Sequence, residues 1–144
     1  MKNPSPLFRL LSLLHASMAM YVADAGIWSY PGDEAIKLAL ADLVGDHKNI
    51  VERAGVVLEQ RHINLPRLAY PIHFTATHDI DLRSLLPRIL NELQKQLVEI
   101  DEIIESISKT TDADPISLEL AREARGTTLG HSDVLGQLLV RQRA

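Results

Sequence analysis

Three histidines stand where a helical repeat calls for an apolar residue. His131 follows Ala124 by seven positions and precedes Leu135 by four; His47 follows Val44 by three and precedes Val51 by four. His15 follows Leu11 by four and precedes Met18 by three. These steps put each imidazole on the stripe that faces a core. Neutral imidazoles in a dry interior ligate zinc, iron or copper. Asp24, Asp46, Glu52, Glu92, Glu99 and Asp133 are the carboxylates that could join them, most of them flanking the seams. One expectation is therefore a histidine-rich site of His15, His47, His131, Glu92 and Glu99 around a single iron or zinc ion. The other is plainer, with no cofactor: a buried histidine also serves as a packed residue bonded to a carbonyl or a tyrosine hydroxyl, and Tyr21 and Tyr30 are at hand.

Composition narrows the remaining chemistry. The chain has 144 residues, 46% of them apolar, which suits one globular domain. A net charge of -4 with interspersed signs offers no basic block to phosphates, so nucleic acid is not an expected partner. There is no cysteine, which excludes disulfides, iron–sulfur clusters and thiol nucleophiles and fits a cytoplasmic setting. The apolar run Leu10 to Met20 contains His15 and two serines and is too short to span a bilayer, so it reads as a buried helix. No Gly-rich phosphate loop or nucleophile elbow is present.

The elements that would position the histidines are four helices, at about 6–28, 33–61, 82–109 and 115–142. Ser5-Pro6 starts the first, and Pro31-Gly32 ends it. Asp33 is the expected cap of the second, whose seam is Leu40, Val44, His47, Val51, Ala54, Leu58. The third shows Leu86, Leu90, Leu93, Leu97, Ile100, Ile104, Ile107 against a charged opposite face, with Pro87 in its first turns. The fourth starts at Asp114-Pro115 and carries Leu120, Ala124, His131, Leu135, Leu138. Gly126 and Gly130 inside it suggest close packing, a kink or room for a ligand, at about 1 kcal/mol each. The stretch 62–81 has two prolines and no helical period. An extended link of that length reaches about 60 Å, against about 40 Å for the second helix. It can cross the whole bundle and leave the second and third helices parallel. The expected fold is an all-α four-helix bundle, one domain over 1–144, with a long crossover between helices 2 and 3.

Asp114-x-x-Ser117, thirteen residues, then His131-x-Asp133-x-Leu135 resembles the last bundle helix of the bacterioferritin branch of the ferritin-like superfamily. His47 with Arg53 and Leu65-Pro66 is similar to that family's second helix and crossover, and Tyr21 has a loose counterpart. The resemblance implies a ferritin-like bundle. Such di-iron sites take Glu-x-x-His from two helices and a Glu from each of the other two. Here Val44 stands three before His47, Thr128 three before His131, and Leu14 where a glutamate would precede Tyr21. The resemblance thus implies the fold without ordinary ferroxidase chemistry.

Three functions follow as expectations. The first is a non-enzymatic bundle that associates with itself, as a homodimer, or with another protein. It rests on the missing carboxylates and on an apolar first helix with Trp28, Tyr30, Tyr70 and Phe74 near element ends. The second is the histidine metal site, acting as a metal-binding protein or an oxidoreductase. The third is a small-molecule pocket where Gly126, Thr127, Thr128 and Gly130 open space beside His131.

Overall fold

In the computed structural model the chain starts where its capping chemistry directs. Ser5 accepts a hydrogen bond from the Phe8 amide through Oγ at 3.1 Å, and Pro6 takes the first helical position of α1 (Pro6–His15). The helices that follow are α2 (Met18–Ala25), α3 (Glu34–Gln60), α4 (Leu82–Ser108) and α5 (Pro115–Arg143). The structure describes residues 5–25, 29–65, 70–72, 74, 80–110 and 114–143. Trp28, His73 and His78 lie outside them, as does most of the crossover, and so does the side chain of Asp24.

Among the described residues the fold is all-α, with five helices packed together. α5 pairs with both α3 and α4, α1 pairs with both as well, and α3 and α4 barely touch. Cross-helix bonds fix the directions. Asp46 meets His131, Arg53 meets Glu123 and Arg61 meets Asp114, so α3 and α5 are antiparallel. Gln94 meets Ser132 and Asp101 meets Arg125, so α4 and α5 are antiparallel too. α3 and α4 therefore run the same way, as the length of the 62–81 link predicts.

The apolar core falls into two clusters. One gathers Ala19 to Val22, Ile36 to Val44, Leu82 to Leu93 and Leu135. The other gathers Leu7 to Leu14, Ile50 to Leu58, Ile100 to Ile107 and Leu120 to Ala124. α3, α4 and α5 contribute to both, α2 only to the first and α1 only to the second, with a gap between the two clusters.

Several expectations change. The first helix is interrupted at Ala16-Ser17, so it is two helices and not one run over 6–28. Asp33 occupies the N-cap position of α3, but its carboxylate makes no cap bond. It turns back and accepts from the Tyr30 amide at 2.8 Å and from Arg83 Nε at 2.6 Å; these two, in that order, hold the carboxyl below its ordinary range. Gly126 and Gly130 have no atom within 4 Å of where a Cβ would lie, and α5 runs unbroken through both. They serve no close contact among the described residues. Tyr70 and Phe74, expected near an outer surface, are used inside: their rings meet Tyr21 at 5.1 and 5.7 Å, fastening the described part of the crossover onto α2. Among the described residues no helix is long and apolar enough to cross a membrane.

Candidate functional site

Four polar side chains fill the gap between the two clusters. They are Ser17 at the α1–α2 junction, His47 on α3, Gln96 on α4 and Thr128 on α5, each no more than 3% exposed. A buried polar atom is tolerated when it is paired, and the pairs here are specific. His47 Nε2 and Thr128 Oγ1 lie 2.9 Å apart, one hydrogen bond between α3 and α5. Burial, followed by the charge of nearby His131, pushes the His47 pKa down to about 4. His47 is thus neutral at pH 7 and holds Thr128 as an uncharged partner.

Ser17 belongs to the helix break. Its Oγ accepts from the Met20 amide at 3.2 Å, as an N-cap of α2 does. The Met18 amide donates to Glu92 Oε1 at 2.8 Å, across from α4, and the Ala19 amide also favours that carboxylate. A carboxylate at a helix N-terminus offsets the unpaired amides there. Glu92 is mostly buried, and desolvation outweighs these amides and raises its pKa to about 6.

Gln96 is the exception. Its Oε1 is buried and has no hydrogen-bond partner among the described residues. It stands on the inner seam of α4, Leu86, Ile89, Leu93, Gln96, Ile100, Ile103, Ile107, a strict three–four alternation in which it is the one polar member. Beside it a cleft of about 240 Å³ opens at the α1–α2 break, lined by Ser12, Ser17, Glu92, Lys95, Gln96 and Glu99, among others. A larger groove of about 740 Å³ runs along α4 and α5, but it is a shallow surface feature. Two of its polar lining residues are paired with each other, Gln94 Nε2 donating to Ser132 Oγ at 2.9 Å.

The histidines named from spacing go to three different partners. His47 faces the core as expected. His131 does not: it is half-buried at the α3–α5 edge, where Nε2 donates to Asp46 Oδ2 at 2.6 Å, and Thr128 takes the inward position instead. His15 is half-buried and stacks on the Tyr70 ring at 6.0 Å, while Leu14 faces the core. Glu92 and Glu99 both line the cleft, but none of the three histidines is among its lining residues. Among the described residues no group of three or more histidines and carboxylates is placed to hold a metal ion. The donor set likewise does not fit a di-iron centre. Val44 and Leu14 are buried hydrocarbon, Thr128 is bonded to His47, and Glu92 is turned to the α2 amides.

Spacing alone missed Gln96, Ser17 and the Asp46–His131 pair. The α4 pattern did carry the signal for Gln96, three after Leu93 and four before Ile100, but Leu97 next to it fits nearly as well and hides it. A scan of protein-family models, a search of curated proteins and a search of solved structures each return no match.

Proposed function

We propose that the chain is a four-helix bundle of ferritin-like type, with α1 and α2 as one interrupted rod, that lacks di-iron chemistry and works by association and not by turnover. The observation that carries this reading is the composition of the central layer. A redox site needs several charged ligands at one point, because bridging carboxylates offset the charge of the ions. This layer instead has a serine, a neutral histidine, a glutamine and a threonine. The parallel run of α3 and α4 supports the ferritin-like connection. The proposed partner is a second copy, meeting the outer face of α5, where Leu129 and Val140 are exposed beside Gly126 and Gly130.

The test is metal content by mass spectrometry of protein purified without chelator, with oxygen uptake on addition of ferrous iron. Substoichiometric metal and no uptake above buffer are expected. Stoichiometric iron or zinc that disappears in both His47→Ala and His131→Ala would replace this reading with the histidine metal site.

A further inference from the structure

We propose that two copies of the chain pair along α5 in antiparallel order, about a two-fold axis between Gly126 and Leu129, with Arg122 of each copy meeting the partner's Asp133. This rests on the association proposed above. It adds the orientation, the register and the charges that select a second copy over another helix.

The outer face of α5 carries a repeat of its own. From Pro115 to Val140, eight residues follow one another at alternating steps of four and three. That spacing makes the straight seam of a two-helix coiled coil. Seven of the eight are exposed, Val140 at 69% and Leu129 at 40%, and Gly136 is half-buried. The inner seam, with Leu120, Ala124, Thr128 and Leu135, is on the opposite side of the helix.

Turned end for end, the outer seam complements itself layer by layer. Leu129 faces the partner's Gly126, a large side chain over bare backbone. Arg122 faces the partner's Asp133, and Val140 faces the partner's Pro115. Glu119 faces the partner's Gly136 and meets no like charge. Each layer occurs twice by symmetry. A parallel pair in register would instead set Glu119, Arg122 and Asp133 each against its own copy, three layers of like charge. The helix dipoles also oppose each other in the antiparallel pair and reinforce each other in the parallel one.

The charges of the seam are available for this. Arg122 and Asp133 are eleven positions apart, about 16 Å along the helix, too far to pair with each other. Among the described residues neither makes an ion pair or a side-chain hydrogen bond. The charges beside the seam are committed within the chain, Glu123 to Arg53 and Arg125 to Asp101. The groove of about 740 Å³ along α4 and α5 has Asp133, Gly136 and Val140 in its α5 wall, so the C-terminal half of the seam has open space beside it. The first turns of the partner's α5 would run along that wall.

The experiment is sedimentation equilibrium of the full chain, native and with Arg122→Glu, Asp133→Arg and both together. Each single reversal sets like charges in two layers and should raise the dimer Kd about tenfold. The double reversal restores both layers and should return Kd to within about threefold of native. Both positions are exposed, so folding should be unaffected. The chain has no cysteine, so a nitroxide on Val140→Cys labels one site. Pulsed electron resonance should place the two labels about 37 Å apart along the helices, since Val140 lies beside the partner's Pro115, 25 residues from the other label. A native chain that stays monomeric up to about 1 mM removes the association and this arrangement with it. A dimer whose Kd is unmoved by either single reversal leaves the association standing and overturns the arrangement. Labels about 10 Å apart, the spacing of parallel neighbours, do the same.

Discussion

At the residue scale, two titrating groups removed from solvent, His47 in the central layer and Glu92 at the α1–α2 break, oppose each other. His47 is pushed down from 6.5 to about 4, so between those values only the unfolded chain takes up its proton. Acidification through that window therefore destabilises the fold, by about 3 kcal/mol in all. Glu92 is raised from 4.5 to about 6, so between those values only the folded chain takes up the proton. Acidification there stabilises the fold, by about 2 kcal/mol. Between about pH 6 and pH 4.5 the two slopes nearly cancel. Chemical denaturation across this window should give a shallow curve for the native chain. Glu92→Gln should turn it into a steep loss of stability on acidification, and His47→Gln into a gain. Curves that stay parallel for all three proteins would show that neither group carries the linkage. His47 was legible in the sequence because both its neighbours on the seam are apolar and at helical steps. Its partner Thr128 was not, since His131 one turn on competes for the same inward direction. Only the position of α3 decides between them, by offering exposed Asp46 to His131.

At the element scale, the helix ends show how local chemistry sets boundaries to within a residue or two, while interior breaks depend on distant groups. Asp81 bonds the Ser84 amide and starts α4. Asp114 accepts from the Ile116 and Ser117 amides, and Arg61 and Ser117 Oγ hold its carboxyl far below the usual range. Both starts were legible from short-range spacing. The break at Ala16-Ser17 was not, because its Met18 and Ala19 amides are satisfied by Glu92, 74 residues away from Met18, and only the Met20 amide is met locally, by Ser17 Oγ. The end of α3 carries a testable cost. Ile63 N donates to Leu58 O at 2.9 Å and His62 N to Glu59 O at 3.0 Å, the paired bonds of a Schellman turn. The turn requires a left-handed residue, and His62 takes it with φ of 60°. Glycine is the usual occupant, since a Cβ there costs about 1 kcal/mol or more. His62→Gly should therefore raise stability by about 0.5–1 kcal/mol after allowing for the freer unfolded chain. A lower melting temperature for this variant would mean that the imidazole contributes more than the strain it imposes.

At the scale of the whole molecule, the apolar core does not by itself ask for a partner. Every residue from Ser5 to Val22 is buried or half-buried within the chain, so this part of the apolar first helix, on which the dimer expectation rests, is already covered. The association proposed above would have to use another surface, and the outer face of α5 has the composition for it. Gly126 and Gly130 each cost about 1 kcal/mol in a helix interior, and no contact within the chain offsets that cost. A second copy meeting this face would, because small residues let two helices approach closely. Gly130→Leu separates the alternatives by two measurements that should move in opposite directions. In dilute solution the variant should unfold at higher denaturant, the helix gaining about 1 kcal/mol. At higher concentration light scattering should show the native chain as a dimer and the variant as a monomer, since a leucine side chain holds the partner backbone away. A native chain that scatters as a monomer throughout would leave the glycines as a cost without return and would remove self-association from the proposed function. A dimer that survives Gly130→Leu would place the interface elsewhere, with exposed Leu38 and Val56 on α3 the next surface to alter.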